Sequence, residues 1–209
     1  MPFYDIHREA IRIVGRVTDM VMNQFPLDVQ LKDDEAFTQL IHQHPEAFAE
    51  LYRCHVNRVY RYVLVRVGNV HDAEELTAQT FLAAFEGIQG YRSEGSFAAW
   101  ILGIARHKVA DYFRRHREAL PLEAAVQVAS PTMAVDEAVS QKILLEQVTQ
   151  VLKTLSSERA EAFSLRIFAG LSLSEISQIM GKSEAAIKML VYRALCDVRE
   201  RVESTTEQE

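Results

Sequence analysis

Along nearly the whole chain, apolar residues return at intervals of three and four, and they do not alternate with polar ones between turn signals. That period belongs to amphipathic helices, so the expected fold class is all-α. Phe3, Ile6, Ala10, Ile13, Val14, Val17, Met20 and Val21 form one such stripe. Phe25-Pro26 ends it, because a residue before proline avoids helical backbone angles. A second helical block follows from about Asp34 to Arg117, broken at Pro45, at Gly68-Asn69 and between Gly87 and Gly90. Its longest helices are predicted over roughly 46–66, 71–86 and 94–115.

Residues 118–139 contain Pro121 and Pro131, many small side chains, and no Lys or Arg. Such a composition favours a flexible, extended acidic linker over a packed element. The predicted organisation is therefore two helical domains: an N-terminal extension (1–33), a first domain (34–117), the linker (118–139), a second domain (140–203) and a tail (204–209).

The second domain reads as four helices. The first carries Leu144, Val148, Val151, Leu152 and Leu155, and the next spans about Ser157 to Phe168. Gly170 stands where a left-handed cap residue belongs, and Ser172-Leu173-Ser174-Glu175 has the spacing of a capping box. That box opens a short helix with Leu173, Ile176, Ile179 and Met180 inward, closed by Gly181. Lys182-Ser183 then opens a longer helix whose inner face is Ile187, Leu190, Val191, Ala194, Leu195 and Val198. Two helices joined by a glycine turn, the second with a polar outer face, describe a helix-turn-helix.

Composition excludes whole classes. At 48% hydrophobic and 25% charged residues, with 8 Gly, 5 Pro and 2 Cys, the chain is neither low-complexity, collagen-like nor a disulfide scaffold. It has no apolar run of membrane-spanning length and no basic-then-apolar secretory start, so a cytoplasmic location and no membrane insertion are expected. The net charge of −6 argues at first against a phosphate-bearing partner. The charge is segregated, however: residues 66–90 sum to −3, 91–117 to +4 and 118–139 to −4. A cationic surface on an acidic body is what whole-chain charge conceals.

Two surfaces follow as candidates for nucleic acid. In a helix-turn-helix the second helix enters the major groove, and here its leading half offers Lys182, Ser183, Glu184, Lys188, Tyr192 and Arg193. The stretch 91–117 interleaves Tyr91, Phe97, Trp100, Tyr112 and Phe113 with Arg92, Arg106, His107, Lys108, Arg114 and Arg115. Aromatic faces stack on unpaired bases while cations hold the backbone. The competing reading makes Trp100, Ile101 and Ile104 plain core. His42, His44, Cys54 and His55 are the one grouping of metal-ligand types, but without paired Cys-x-x-Cys spacing no metal is expected. Catalytic carboxylate pairs, nucleophile triads and phosphate-cradling glycine loops are absent from the sequence, so neither an enzyme nor a cofactor is expected.

These residues resemble a known family. Asp72-Ala73-Glu74-Glu75-Leu76-Thr77-Ala78-Gln79-Thr80-Phe81-Leu82, then Tyr91-Arg92, Phe97, Trp100, Ile104-Ala105 and Asp111-Tyr112, are similar to the promoter-melting domain of bacterial sigma factors. Gly170 to Ile176, Lys188 and Arg193-Ala194 are similar to their C-terminal promoter-reading domain. The two-domain layout resembles the extracytoplasmic-function group of the sigma-70 family.

The resemblance implies a transcription initiation factor with core RNA polymerase and promoter DNA as partners. Asp72, Glu74, Glu75, Gln79 and Phe81 would dock on the clamp helices of the large polymerase subunit, and the C-terminal domain on its flap. Tyr91, Arg92, Phe97, Trp100, Arg106, His107, Lys108, Tyr112, Arg114 and Arg115 would capture a flipped base and melt the minus-ten element. Lys182, Ser183, Glu184, Lys188, Tyr192 and Arg193 would read the minus-thirty-five element. An anti-sigma factor is a further implied partner, and the acidic linker would thread the polymerase's basic RNA path.

The chain departs from the family pattern in two places. Ala78-Gln79 replaces a common Gln-acid pair, and Met189, Leu190, Leu195, Cys196 and Asp197 thin the cations of the recognition helix. The N-terminal extension lies outside the resemblance, and packing, inhibition and recruitment of a regulator remain open for it. The rival readings are a conventional helix-turn-helix regulator with an N-terminal sensing block, and an interaction protein that titrates polymerase.

Overall fold

A computed structural model describes residues 48–91, 95–119, 146 and 148–206. Helix α1 spans Phe48–Val67, α2 Val70–Gly87 and α3 Phe97–Ala119. A helical stretch over 148–154 leads into α4 (Ser157–Ile167), α5 (Leu173–Met180) and α6 (Glu184–Thr206). Among the described residues there is no strand, as the threefold and fourfold apolar spacing requires. The expected N-terminal amphipathic helix, Arg92, His42, His44 and residues 120–139 of the linker lie outside the described residues. Helix α3 continues to Ala119, two residues beyond the boundary expected from composition.

Local chemistry sets most helix ends. Asn69 accepts a hydrogen bond from the Asp72 amide at 3.0 Å and so caps α2. Ser172 and Glu175 form the full capping box on α5, side chain to backbone in both directions. Gly181 follows in the left-handed region at φ 64°, ending α5 and redirecting the chain into α6.

In the first unit, α1, α2 and α3 close around Leu51, Val59, Val63, Phe81, Phe97, Ile101 and Leu102. In the second, α4 lies against α5 and α6, burying Phe163, Leu165, Ile176, Ile187, Val191 and Ala194. The two cores are continuous: Ala162, Leu165, Leu171 and Ile176 of the second unit belong to the same buried cluster as the first unit's helices. Val65 of α1 in turn packs with Leu152, Leu155, Phe163 and Phe168. Six successive residues of α4, Ala160 to Leu165, are buried, so this helix is enclosed on nearly all sides.

Gly68 shows how close the units come. Its φ of +73° suits glycine, and a Cβ built there would lie 2.4 Å from the Thr149 methyl. A larger residue at this position would both strain the turn and push the 148–154 stretch away.

His55 is a core residue, tilted against the Phe97 ring at 5.1 Å with neither ring nitrogen hydrogen-bonded. Burial, and secondarily the charge of Arg58, lowers its pKa from 6.5 to about 4. Protonation therefore favours the unfolded chain. The stabilisation is complete above pH 6.5 and is lost as pH falls from 6.5 towards 4. Over that window His55 should account for about 3 kcal/mol of lost stability. Urea unfolding at stepped pH should show a shallower acid slope in His55→Leu than in the unsubstituted chain. Parallel slopes would refute this account of the residue.

Candidate nucleic-acid interface

Helix α2 presents an acidic outer face. Glu74 and Glu75 are exposed, and Gln79 donates its amide to Glu75 at 2.9 Å. Asp72 is turned partly inward, accepting from the Tyr112 hydroxyl at 2.8 Å and so tying the start of α2 to α3. Burial and that hydrogen-bonded carboxylate push the Tyr112 phenol well above its ordinary pKa, so it stays a donor. Phe81 is 4% exposed and packs edge-on against Phe48 and Tyr52. It supports the acidic face from beneath, and the large apolar side chains that this helix shows to solvent are Val70, Leu82 and Phe85.

The aromatic-cationic segment divides in the same way. Phe97 is fully buried and Tyr91 nearly so, its hydroxyl donating to the Gly95 carbonyl at 2.9 Å. Trp100 is half-buried against both, with ring centroids 4.8 Å from Tyr91 and 5.3 Å from Phe97. One edge of Trp100 packs on the core, while another lines an open cavity of about 350 Å³. His107, Arg114 and Arg115 are exposed along the outer side of α3, with Lys108 half-buried. Arg106 is turned towards the second unit, where it donates to the Ile179 carbonyl at 3.4 Å.

In the second unit the leading half of α6 shows Glu184, Lys188, Met189 and Arg193 along one exposed stripe, with Tyr192 half-buried beside it. Ser183 accepts from the Ala186 amide at 3.3 Å, which makes it a helix cap as well as a surface residue. A hydrogen bond with Cys196, and then the charge of that group, raises the Tyr192 phenol's pKa. Lys182 is held by Glu158 at 2.9 Å. Met189 belongs to the stripe although the charge pattern did not single it out; an exposed thioether there suits a thymine methyl.

Sequence reasoning missed two polar residues at the junction of the units, Ser96 and Glu161, and read Glu175 as a helix cap alone. Ser96 donates to Glu175. Burial raises the Glu175 carboxyl's pKa, but the hydrogen bonds from Ser96 and Ser172 outweigh it, so the net shift is downward. Among the described residues no group of three or more His, Cys, Asp or Glu could hold a metal, and no helix is long and apolar enough to cross a membrane.

Two family models match the chain: sigma-70 region 2 over residues 51–119 and sigma-70 region 4 over 145–195. The ECF RNA polymerase sigma factor BldN of Streptomyces coelicolor is 40% identical over 157 residues, covering 72% of this chain and 58% of the relative. The chain thus spans little more than half of that relative, but 88% of the ECF sigma factor SigM of Bacillus subtilis, at 30% identity over 145 residues. Two solved structures share the fold. CnrH in complex with the cytosolic domain of CnrY matches at TM-score 0.66 and 18% identity, over 83% of this chain and 99% of that one. RpoE of Bartonella quintana in complex with the anti-sigma factor NepR matches at 0.60 and 20%, over 76% and 98%.

The inward and outward side chains of α2 should separate cleanly by measurement. Phe81→Ala should cost about 3–5 kcal/mol through cavity formation. Leu82→Ser, at a side chain 60% exposed, should fall within about 0.5 kcal/mol of the unsubstituted chain. Denaturant midpoints decide it, and comparable losses in both would place Leu82 in an interface that the fold does not show.

Proposed function

The chain belongs to the sigma-70 family, in its extracytoplasmic-function group, and on that premise we propose how it starts transcription. It binds core RNA polymerase and directs it to particular promoters. The observation that carries the reading is the order on one chain of a region 2 match over residues 51–119 and a region 4 match over 145–195. A conventional helix-turn-helix regulator has no use for the first of these.

The division of labour follows from what each surface exposes. Glu74, Glu75 and Gln79 offer an acidic docking face to a basic surface of the polymerase clamp, with Asp72 and Phe81 setting the helix beneath it. Trp100 supplies a stacking face for an unpaired base of the minus-ten element, positioned by Tyr91 and Phe97. His107, Lys108, Arg114 and Arg115 hold the backbone of the opened strand. The α6 stripe of Lys188, Met189 and Arg193 reads the minus-thirty-five duplex.

The chain performs no covalent chemistry of its own and needs no cofactor; the polymerase makes the RNA. Its place of action is the cytoplasm, where polymerase and promoter are. RpoE, which shares the fold, was solved with the anti-sigma factor NepR, and CnrH with the cytosolic domain of CnrY; an anti-sigma factor is the class of regulator proposed for this chain too.

Purified chain added to core RNA polymerase and a promoter library should yield initiated transcripts; no complex with core polymerase would sink the proposal. Trp100→Ala should reduce permanganate-detected strand opening by roughly tenfold, equivalent to the ~1–3 kcal/mol of one stacked base. Closed-complex formation should be little changed by that substitution. Lys188→Ala and Arg193→Ala should instead weaken upstream binding, each lowering the salt slope by about 1. Equal melting by Trp100→Ala, or an unchanged salt slope in both lysine and arginine variants, would remove those roles.

A further inference from the structure

A cleft of about 610 Å³ lies between the two helical units, a volume within the ~300–1,000 Å³ that small-molecule sites occupy. The first unit lines it with Arg66, Arg106 and Arg114, and the second with Lys182 and the opening residues of α4, Ser157 and Glu158. Against these four cations stand two carboxylates, Glu158 and Glu161, so the lining carries a positive excess.

Two of the cations are only loosely held by protein groups. Glu161 takes its one short contact from the Tyr62 hydroxyl, which donates to Oε1 at 2.6 Å. An Arg66 guanidinium nitrogen lies 3.4 Å from Glu161 Oε2, and Arg66 Nε, on a side chain 10% exposed, has no hydrogen-bond partner among the described residues. Arg106 lies 4.0 Å from Glu161 Oε1 and 3.4 Å from the Ile179 carbonyl. Charge-assisted bonds close to about 2.7–2.9 Å, as Arg159 does with Asp197 at 2.8 Å. One carboxylate shared by two guanidinium groups at the longer distances leaves donor capacity in the cleft wall. The start of α4 adds to it. First-turn amides have no partner inside their own helix, and the Ser156 cap takes only that of Arg159. The amides of Ser157 and Glu158, with the positive end of the helix dipole, are thus suited to an anion. Between the charges the wall is apolar, with Val109 and Phe113 of α3 on one side and Met180 of α5 on the other.

We propose that this cleft binds a nucleotide bearing two or more phosphates, its phosphates held by Arg66, Arg106, Arg114, Lys182 and the α4 amides and its base lying against Phe113 and Met180. The volume and the apolar wall exceed what a bare phosphate uses, and a flat heterocycle fills both between an aromatic ring and a thioether. The site does not depend on how promoters are read. That Arg114 then serves two anions in turn, the nucleotide and the opened strand, rests on the sigma-factor reading.

The test is calorimetric titration of the full chain, without polymerase or DNA, by GTP, by ATP and by inorganic tripolyphosphate. Lys182→Gln and Arg114→Gln each remove a cleft cation, and Glu158→Gln removes the anion that holds Lys182 at 2.9 Å. Arg115→Gln, exposed on α3 but outside the cleft lining, controls for general attraction to a cationic helix. Helix content is checked by circular dichroism.

At least one nucleotide should saturate a single site, at least about fivefold tighter than tripolyphosphate and more weakly as salt rises. Lys182→Gln and Arg114→Gln should each weaken it about tenfold, the loss of one charged hydrogen bond. Glu158→Gln should tighten it, a gain that misfolding cannot produce, and Arg115→Gln should leave it unchanged. No saturable binding by either nucleotide would overturn the proposal. Equal affinity for tripolyphosphate would overturn the assignment of a base, and equal losses in Arg115→Gln and Arg114→Gln would reduce the binding to surface charge. Should the unsubstituted chain fail to initiate with core polymerase, the proposed function falls, while calorimetry decides the cleft separately.

Discussion

A carboxylate removed from water must find donors where it lands, or the fold that buries it is destabilised by several kcal/mol. Glu161 meets that requirement only when α4 is pressed into the groove of the first unit, where Tyr62, Arg66 and Arg106 stand. Much else hangs on this placement. The burial of α4 on nearly all sides, the merging of the two cores and the close approach of Thr149 to Gly68 all belong to the same closed arrangement. The Tyr62 phenol records it as well: burial first, and the Glu161 charge next, push its pKa well above the ordinary value, so it remains a donor.

The aromatic residues of the first unit divide by depth rather than by position in the chain. Tyr91 and Phe97 are core, yet they set the tilt of Trp100, whose other edge lines an open cavity. Phe81 does the same service for the acidic face of α2. A side chain that supports another can matter as much to binding as one that touches the ligand, because a stacking or docking group held loosely loses orientation.

The charge distribution makes sense on the same terms. A net −6 coexists with a cationic α3 because the anions are gathered on α2 and in residues 118–139. Along α6 Lys188, Arg193, Arg199 and Arg201 are matched by Glu184, Asp197, Glu200 and Glu203, so this helix carries no cationic excess.

Periodicity, caps and motif order were legible in the sequence because each is a local property. Helical spacing marked α1, α2 and α3 to within a few residues; Ser172 and Glu175 announced their capping box; and Gly181 announced its turn, since a left-handed cap is written in the residue itself. The family could be read for a similar reason, from residue types in a fixed order. Depth could not: Phe81, Tyr91 and Phe97 look no different from Trp100 in a linear string, and only packing decided which rings face inward. Glu161 carried no signal at all among charged residues of an ordinary amphipathic helix. Its role is settled by donors from Tyr62, Arg66 and Arg106, which stand far away in sequence and meet it only once the two units have closed.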